Sequence, residues 1–155
     1  MSSLTVIDHI QTQRDHYVKE LGEFLAIPSI SSSPDHAGEV RRCAEWTAAH
    51  MRHIGLEHVE LIETPGHPVV YGDWLHAEGA PTILFYGHYD VQPAGQLRAW
   101  RSPPFEPTRR GSQLYGRGAS DDKGQLCALL AGIEAWLRGA GRLPVNVCCL
   151  LDGEE

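Results

Sequence analysis

Absences in the sequence narrow the field before any motif is read. Lysine and arginine form no cluster, and 13 basic residues against 20 acidic ones leave a formal charge of -7. Nucleic acid and anionic membranes are therefore poor candidate partners. No apolar run reaches the roughly 18 residues that a membrane span requires. The start, Met1-Ser2-Ser3-Leu4-Thr5, lacks a charged segment followed by an apolar core, so the chain reads as soluble, unexported and cytoplasmic. The four cysteines (Cys43, Cys127, Cys148, Cys149) include no C-x-x-C pair, which argues for buried reduced thiols and against a zinc-cysteine site. Repeats, low-complexity tracts and linkers are missing as well. With 42% hydrophobic residues, the 155 positions suffice for one core of ordinary domain size.

What is present is an alternation of helix and strand signals. Ile7, Ile10, Tyr17, Val18, Leu21, Phe24 and Leu25 recur at helical spacing, and Ile27-Pro28 ends that pattern. A loop over Pro28 to Ser33 precedes a second helix that starts near Pro34-Asp35 and buries Val40, Cys43, Ala44, Thr47, Met51 and Ile54, with Gly55 as its left-handed cap. Val59 to Ile62 and Val69 to Trp74 read as strands around the turn Thr64-Pro65-Gly66. The continuous apolar run Thr82 to Tyr86 predicts a strand covered on both faces. Trp100 to Pro107 is too rich in proline for a helix. Leu126, Leu129, Leu130, Ile133 and Leu137 form a helical stripe ending at Gly139-Ala140-Gly141, and Val145 to Leu151 is another buried strand. The expected fold is α/β, with helices over a mixed, largely parallel sheet whose sites lie beyond the carboxyl ends of strands.

Three groups of chemically capable residues follow strand-like runs or open a helix. They are Gly87-His88-Tyr89-Asp90, then Gly116-Arg117-Gly118 with Asp121-Asp122, then Asp152-Gly153-Glu154-Glu155. In extended backbone His88 and Asp90 face one side, so the carboxylate can fix the imidazole's tautomer while the other ring nitrogen meets a metal. Taken alone, the pair is more often what a strand-end histidine bonded to a nearby turn gives. Acids such as Asp121-Asp122 in a first helical turn ordinarily complement the helix dipole. Gly116-Arg117-Gly118 invites a dinucleotide-loop reading, but a carboxylate stands where the third glycine belongs and would repel a pyrophosphate. The histidines His9, His50, His53, His58 and His67 fall on helix surfaces or turns and are expected to be exposed.

In combination, these groups, the loop Ile27-Pro28-Ser29-Ile30-Ser31, Pro103-Pro104-Phe105 and Leu114-Tyr115 resemble the two-metal aminoacylase/carboxypeptidase family. That family includes carnosinase-type cytosolic dipeptidases, glutamate carboxypeptidase, acetylornithine deacetylase and succinyl-diaminopimelate desuccinylase. Val91-Gln92-Pro93 and the doubled Asp121-Asp122 are most similar to the dipeptidase branch. The resemblance implies a zinc-peptidase-like catalytic domain in which His88 binds one metal, Asp121 bridges both and Asp90 orients His88. It also implies a cis peptide between Asp121 and Asp122. The metals implied are two divalent ions, Zn2+ first, with Mn2+ or Co2+ as alternatives. Two registers of the terminal acids remain open: Glu155 as general base with a ligand just after it, which aligns better, or Glu154 as base with Glu155 as ligand.

Relatives in that family are several hundred residues long and carry a second, lid-forming domain. The resemblance thus implies that residues 1–155 are the N-terminal portion of a catalytic domain, inactive in isolation, from a homodimeric parent that dimerises through the lid. The implied reaction is hydrolysis of the amide bond of dipeptides or small peptides. Two rival readings stand beside it, an N-acyl amino acid deacylase and a non-catalytic module that kept the fold.

Overall fold

The computed structural model describes residues 3–155; Met1 and Ser2, with which the sequence opens, lie outside them. Helical periodicity from Ile7 to Leu25 is realised as two helices rather than one, α1 (Ser3–Thr12) and α2 (Arg14–Leu25). The break at Gln13 has a local cause. The Thr12 hydroxyl donates back to the carbonyls of Asp8 at 3.0 Å and His9 at 2.9 Å, a pattern that competes with the helical ladder and bends it. α2 ends at Ala26, ahead of Ile27-Pro28. A short 3-10 turn at Pro34–His36 leads into α3 (Ala37–Ile54), whose buried stripe contains all six residues expected there. Gly55 caps it at φ +103°, a conformation that a residue without Cβ adopts freely.

The strands are β1 (Glu57–Ile62), β2 (Val69–Trp74), β3 (Thr82–His88), β4 (Thr108–Arg110), β5 (Gln113–Tyr115) and β6 (Asn146–Asp152), with α4 (Lys123–Ala140) before the last. Four of them make one mixed sheet in the order β1-β2-β6-β3, while β4 and β5 form a separate hairpin. β1 and β2 are joined by the turn at 63–68 and pair antiparallel, as do β2 and β6. β3 and β6 pair in parallel. The parallel share is confined to that pair because parallel neighbours need a crossover connection, and only the passage through α4 supplies one.

A single hydrophobic cluster joins Val40 and Met51 of α3, Leu126 and Leu130 of α4, and Val147, Cys149 and Leu151 of β6. β6 alternates strictly between half-buried and buried residues, so its odd-numbered side chains face the helices and its even-numbered ones the other side. This revises the expectation of a strand buried throughout. β3 departs further. Instead of being covered on both faces it lies at the sheet's edge, with Leu84 and Tyr86 each 62% exposed. The apolar run alone does not separate a central strand from an edge strand whose outer face is free.

The β4–β5 hairpin was not legible as strand. Its signal was Gly111, at φ +63° in the two-residue loop Gly111-Ser112, a glycine position typical of tight hairpins. None of the helices is long and apolar enough to cross a membrane, among the described residues. All four cysteines are free thiols, with Cys43 and Cys149 buried. Burial pushes the pKa of Cys127 and Cys149 up to about 12, so both are held as neutral thiols.

Candidate metal centre

Parallel pairing of β3 with β6 sets His88 opposite Asp152, so two of the three groups meet at the carboxyl ends of adjacent strands. Just past the strand end the chain alternates sharply. Tyr89 is fully buried, its amide donating to Asp152 O at 2.8 Å and its hydroxyl to Pro68 O, while His88 and Asp90 face the rim.

The imidazole of His88 is held between two carboxylates. Its Nδ1 lies 3.1 Å from Asp90 Oδ1, and its Nε2 lies 3.1 Å from Asp121 Oδ1. Asp90 is 1% exposed and is itself fixed, its Oδ2 accepting from the Ser31 hydroxyl at 2.5 Å and its Oδ1 from the Glu155 amide at 3.3 Å. Asp121, by contrast, projects into solvent with 72% of its side chain exposed. Burial alone would lower the pKa of His88; the charge of Asp90 and hydrogen bonds to Asp121 and Asp90 outweigh it, and the net shift is upward.

The Asp121-Asp122 peptide is cis. The two neighbouring carboxylates serve different partners. Asp121 reaches the outer nitrogen of His88, whereas Asp122 Oδ2 accepts from the His88 backbone amide at 3.3 Å. Asp122 is also the N-cap residue of α4, without a capping hydrogen bond from its side chain. Next to it, Lys123 is fully buried and donates to Phe24 O at 3.0 Å and Ile27 O at 2.7 Å, pinning the end of α2 and the loop after it under the site.

The terminal acids separate. Asp152 Oδ1 accepts from the amides of Gly153 at 2.7 Å and Glu154 at 3.2 Å, which turns the chain at the strand end. Glu154 Oε2 then accepts from the His67 amide at 3.2 Å, over the 63–68 turn. Glu155 is placed against Asp90 by its backbone. The phenol of Tyr86 is raised by burial, then by Asp152, with Glu155 and Asp90 adding smaller contributions, so all these acids share one edge. A cavity of about 510 Å³ opens beside Asp121 and is bordered by Trp100, Tyr115 and Arg117.

Of the residues singled out from sequence, His88, Asp90 and Asp121 thus come together. Glu155 adjoins Asp90, and Glu154 is directed elsewhere. The donor chemistry fits a borderline divalent ion: a neutral imidazole nitrogen beside a carboxylate oxygen, with a further acid on the opposite nitrogen. Ligand atoms on ~2.1 Å bonds at tetrahedral angles stand about 3.4 Å apart, close to the 3.1 Å observed between His88 and Asp121. Sequence reasoning assigned no part to Ser31 or Lys123 and none to Asp122 as a partner of the His88 backbone. The first lay in a serine-rich loop whose role depends on tertiary contact, and a buried lysine has no local signature. His50 was also misplaced. It is 9% exposed, on the inner side of α3, because its ring stacks on Trp46 with centroids 5.1 Å apart.

Comparison with known proteins bears on the same segment. Residues 84–155 match peptidase family M20/M25/M40. The chain is 30% identical over 164 residues to the Cys-Gly metallodipeptidase DUG1 of Candida albicans, covering 97% of this chain and 34% of that protein. It is 42% identical over 130 residues to a succinyl-diaminopimelate desuccinylase of Aromatoleum aromaticum, covering 83% of this chain and 32% of the relative. Among solved structures, human carnosine dipeptidase 1 superposes with a TM-score of 0.90 at 30% identity, over 98% of this chain and 35% of that one. The chain spans about a third of the length of the curated relatives it matches.

Proposed function

We propose that the chain, whose residues 84–155 match peptidase family M20/M25/M40, supplies part of the metal centre of an amide-bond hydrolase acting on dipeptides or small peptides. The observation that carries this reading is the His88 imidazole held between Asp90 and Asp121 at 3.1 Å on either side. His88 and Asp121 would hold the divalent ions, Zn2+ first, with Mn2+ or Co2+ able to substitute.

Such a pair, when bound, supplies polarisation of the scissile carbonyl and a water of lowered pKa. The chain's own residues do the rest. Asp90 accepts the Nδ1 proton of His88, leaving Nε2 as the free donor, and Ser31 and the Glu155 amide keep that carboxylate from turning. Glu155 is the general base: its carboxylate takes a proton from the attacking water and passes it to the departing amine, so an amide and water become an acid and a free amine. Support for this register over the one with Glu154 as base comes from Glu154, whose carboxylate is already engaged by the His67 amide.

With two donors placed beside each other, the 155 residues alone hold too few ligands for a closed site, and we propose that the isolated chain does not turn over. The same reading makes residues 1–155 the N-terminal portion of the catalytic domain of a longer, cytoplasmic, homodimeric enzyme. The free thiols are in keeping with a reducing compartment. A second reading, an N-acyl amino acid deacylase, is favoured by the 42% identity to a desuccinylase.

Hydrolysis of Xaa-Gly, β-Ala-His and N-succinyl or N-acetyl amino acids by the full-length protein, with zinc and then manganese, separates the two. Asp121→Ala and Glu155→Gln are expected to abolish turnover and Glu154→Gln to keep most of it. An Asp121→Ala protein that remains active with metal supplied would refute the assignment.

A further inference from the structure

Away from the His88 group, α2, α3 and α4 converge on a second set of donors. Among the described residues, His16, Glu20 and Glu134 form the one cluster whose three ligand atoms all lie within 4.8 Å of one another. His16 and Glu20 share a face of α2 one turn apart, with Nε2 to Oε1 at 3.3 Å, and Glu134 comes across from α4. His50 of α3 closes the third side, its Nδ1 3.5 Å from Glu20 Oε1.

Glu134 is the unusual member. Its side chain is only 8% exposed, and although Arg138 Nε stands 3.7 Å from Oε1, the buried Oε2 has no hydrogen-bond partner. The Tyr17 hydroxyl is buried against Glu134, close enough for that carboxylate, after burial itself, to raise its pKa, and it has no other partner. A buried carboxylate oxygen without a donor is destabilising, and a second acid, Glu20, lies alongside. Arg138 and the imidazoles of His16 and His50 border these acids in the helix-helix seam, but none of them reaches Glu134 Oε2.

We propose that His16, Glu20 and Glu134 bind a divalent transition-metal ion of the zinc type, with His50 or water as a fourth donor. One imidazole and two carboxylates are a donor set for a borderline ion rather than for Mg2+ or Ca2+, which take oxygen alone. The 3.3 Å between His16 and Glu20 already matches the ~3.4 Å edge of a tetrahedron of ~2.1 Å bonds. Such an ion ties α2 to α4 directly and is structural, since none of its ligands belongs to the His88 group.

The test uses the 155-residue chain freed of metal with a chelator. Zn2+ is titrated calorimetrically into the His88→Asn/Asp121→Asn chain, into the same background with His16→Ala, and into it with Glu134→Gln. Co2+ absorption serves as a second readout. The expected result is one equivalent bound in the background chain, weakened at least about tenfold by His16→Ala and likewise by Glu134→Gln, with Co2+ bands of nitrogen and oxygen ligation. His16 is 44% exposed, so its replacement leaves the fold intact even if Glu134→Gln does not. No binding in the background chain, binding indifferent to His16→Ala, or a thiolate charge-transfer band pointing to Cys127 would each overturn the proposal.

Discussion

Asp90 stands two residues beyond His88 on the same side of the strand end, with its Oδ1 3.1 Å from the imidazole Nδ1 and almost no exposure of its own. That pairing leaves Nε2 as the only ring nitrogen facing outward. Asp90→Asn keeps the shape and removes the charge. The expected outcome in the full-length protein is a 10- to 100-fold loss of metal affinity, on the order seen when acids that orient metal-binding histidines are removed, measured by competition with a chromogenic chelator. Unchanged affinity would mean that Asp90 does not set the histidine's tautomer.

Gly153 is predicted to be intolerant of any side chain. A Cβ there would come 2.2 Å from the hydroxyl of Tyr89, which is fully buried and tied to Pro68. Neither partner can withdraw without opening the core beneath the site. Gly153→Ala should therefore cost about 1–3 kcal/mol of stability, read as a shift in the urea midpoint at constant slope.

Lys123 is a buried cation whose two acceptors are backbone carbonyls at the end of α2 and in the loop after it. Burial pushes its pKa downward. Lys123→Met keeps most of the volume and removes the cost of burying charge, but leaves Phe24 O and Ile27 O without that donor. Both carbonyls keep a backbone donor, Ile27 N–H on Phe24 O at 3.3 Å and Ser29 N–H on Ile27 O at 2.9 Å, but at roughly 1.5–3 kcal/mol for each hydrogen bond from a charged donor the loss outweighs the gain, and a net destabilisation of about 2 kcal/mol is expected. Stability at or above wild type in denaturant melts would show that the backbone donors alone satisfy those carbonyls.

His58 provides a pH signature independent of the site. Its Nδ1 is 2.8 Å from Asp73 Oδ1, and the hydrogen bond to Asp73, followed by that residue's charge, raises its pKa. A raised histidine stabilises the fold fully below its ordinary value of about 6.5, and the contribution is lost as pH rises through the folded value. The stability difference between wild type and His58→Gln should accordingly shrink from about pH 5 to about pH 8. A difference that grows over that range would contradict the ion pair.

Much of this arrangement was legible from sequence where one local rule governs. Gly55 as a cap, Val69 to Trp74 as a strand and the stripe beginning at Leu126 depend on periodicity and on backbone preference within a few residues. His88 and Asp90 were legible because a strand end fixes which side each faces. What escaped depends on contacts distant in sequence. Ser31 meets Asp90 only after the loop at 28–33 is laid beside Val91, through the bridge between Ile30 and Val91. Lys123 is buried by α2, and His50 is drawn inward by Trp46. The exposed outer face of β3 could not be distinguished from a covered one because hydrophobicity records what a strand can bury, not whether a neighbour is there.

One consequence of the alternation between His88, Tyr89 and Asp90 concerns how this segment can change over time. A single-residue insertion or deletion between Thr82 and His88 would slip β3 against β6, swinging the phenol out to the rim and the imidazole into oil. Stability and chemistry would fail in the same step, so no half-way mutant exists for selection to retain. Length variation should instead collect in the stretch at 93–107, leaving the spacing from Thr82 to Asp90 unchanged in any lineage that keeps the activity.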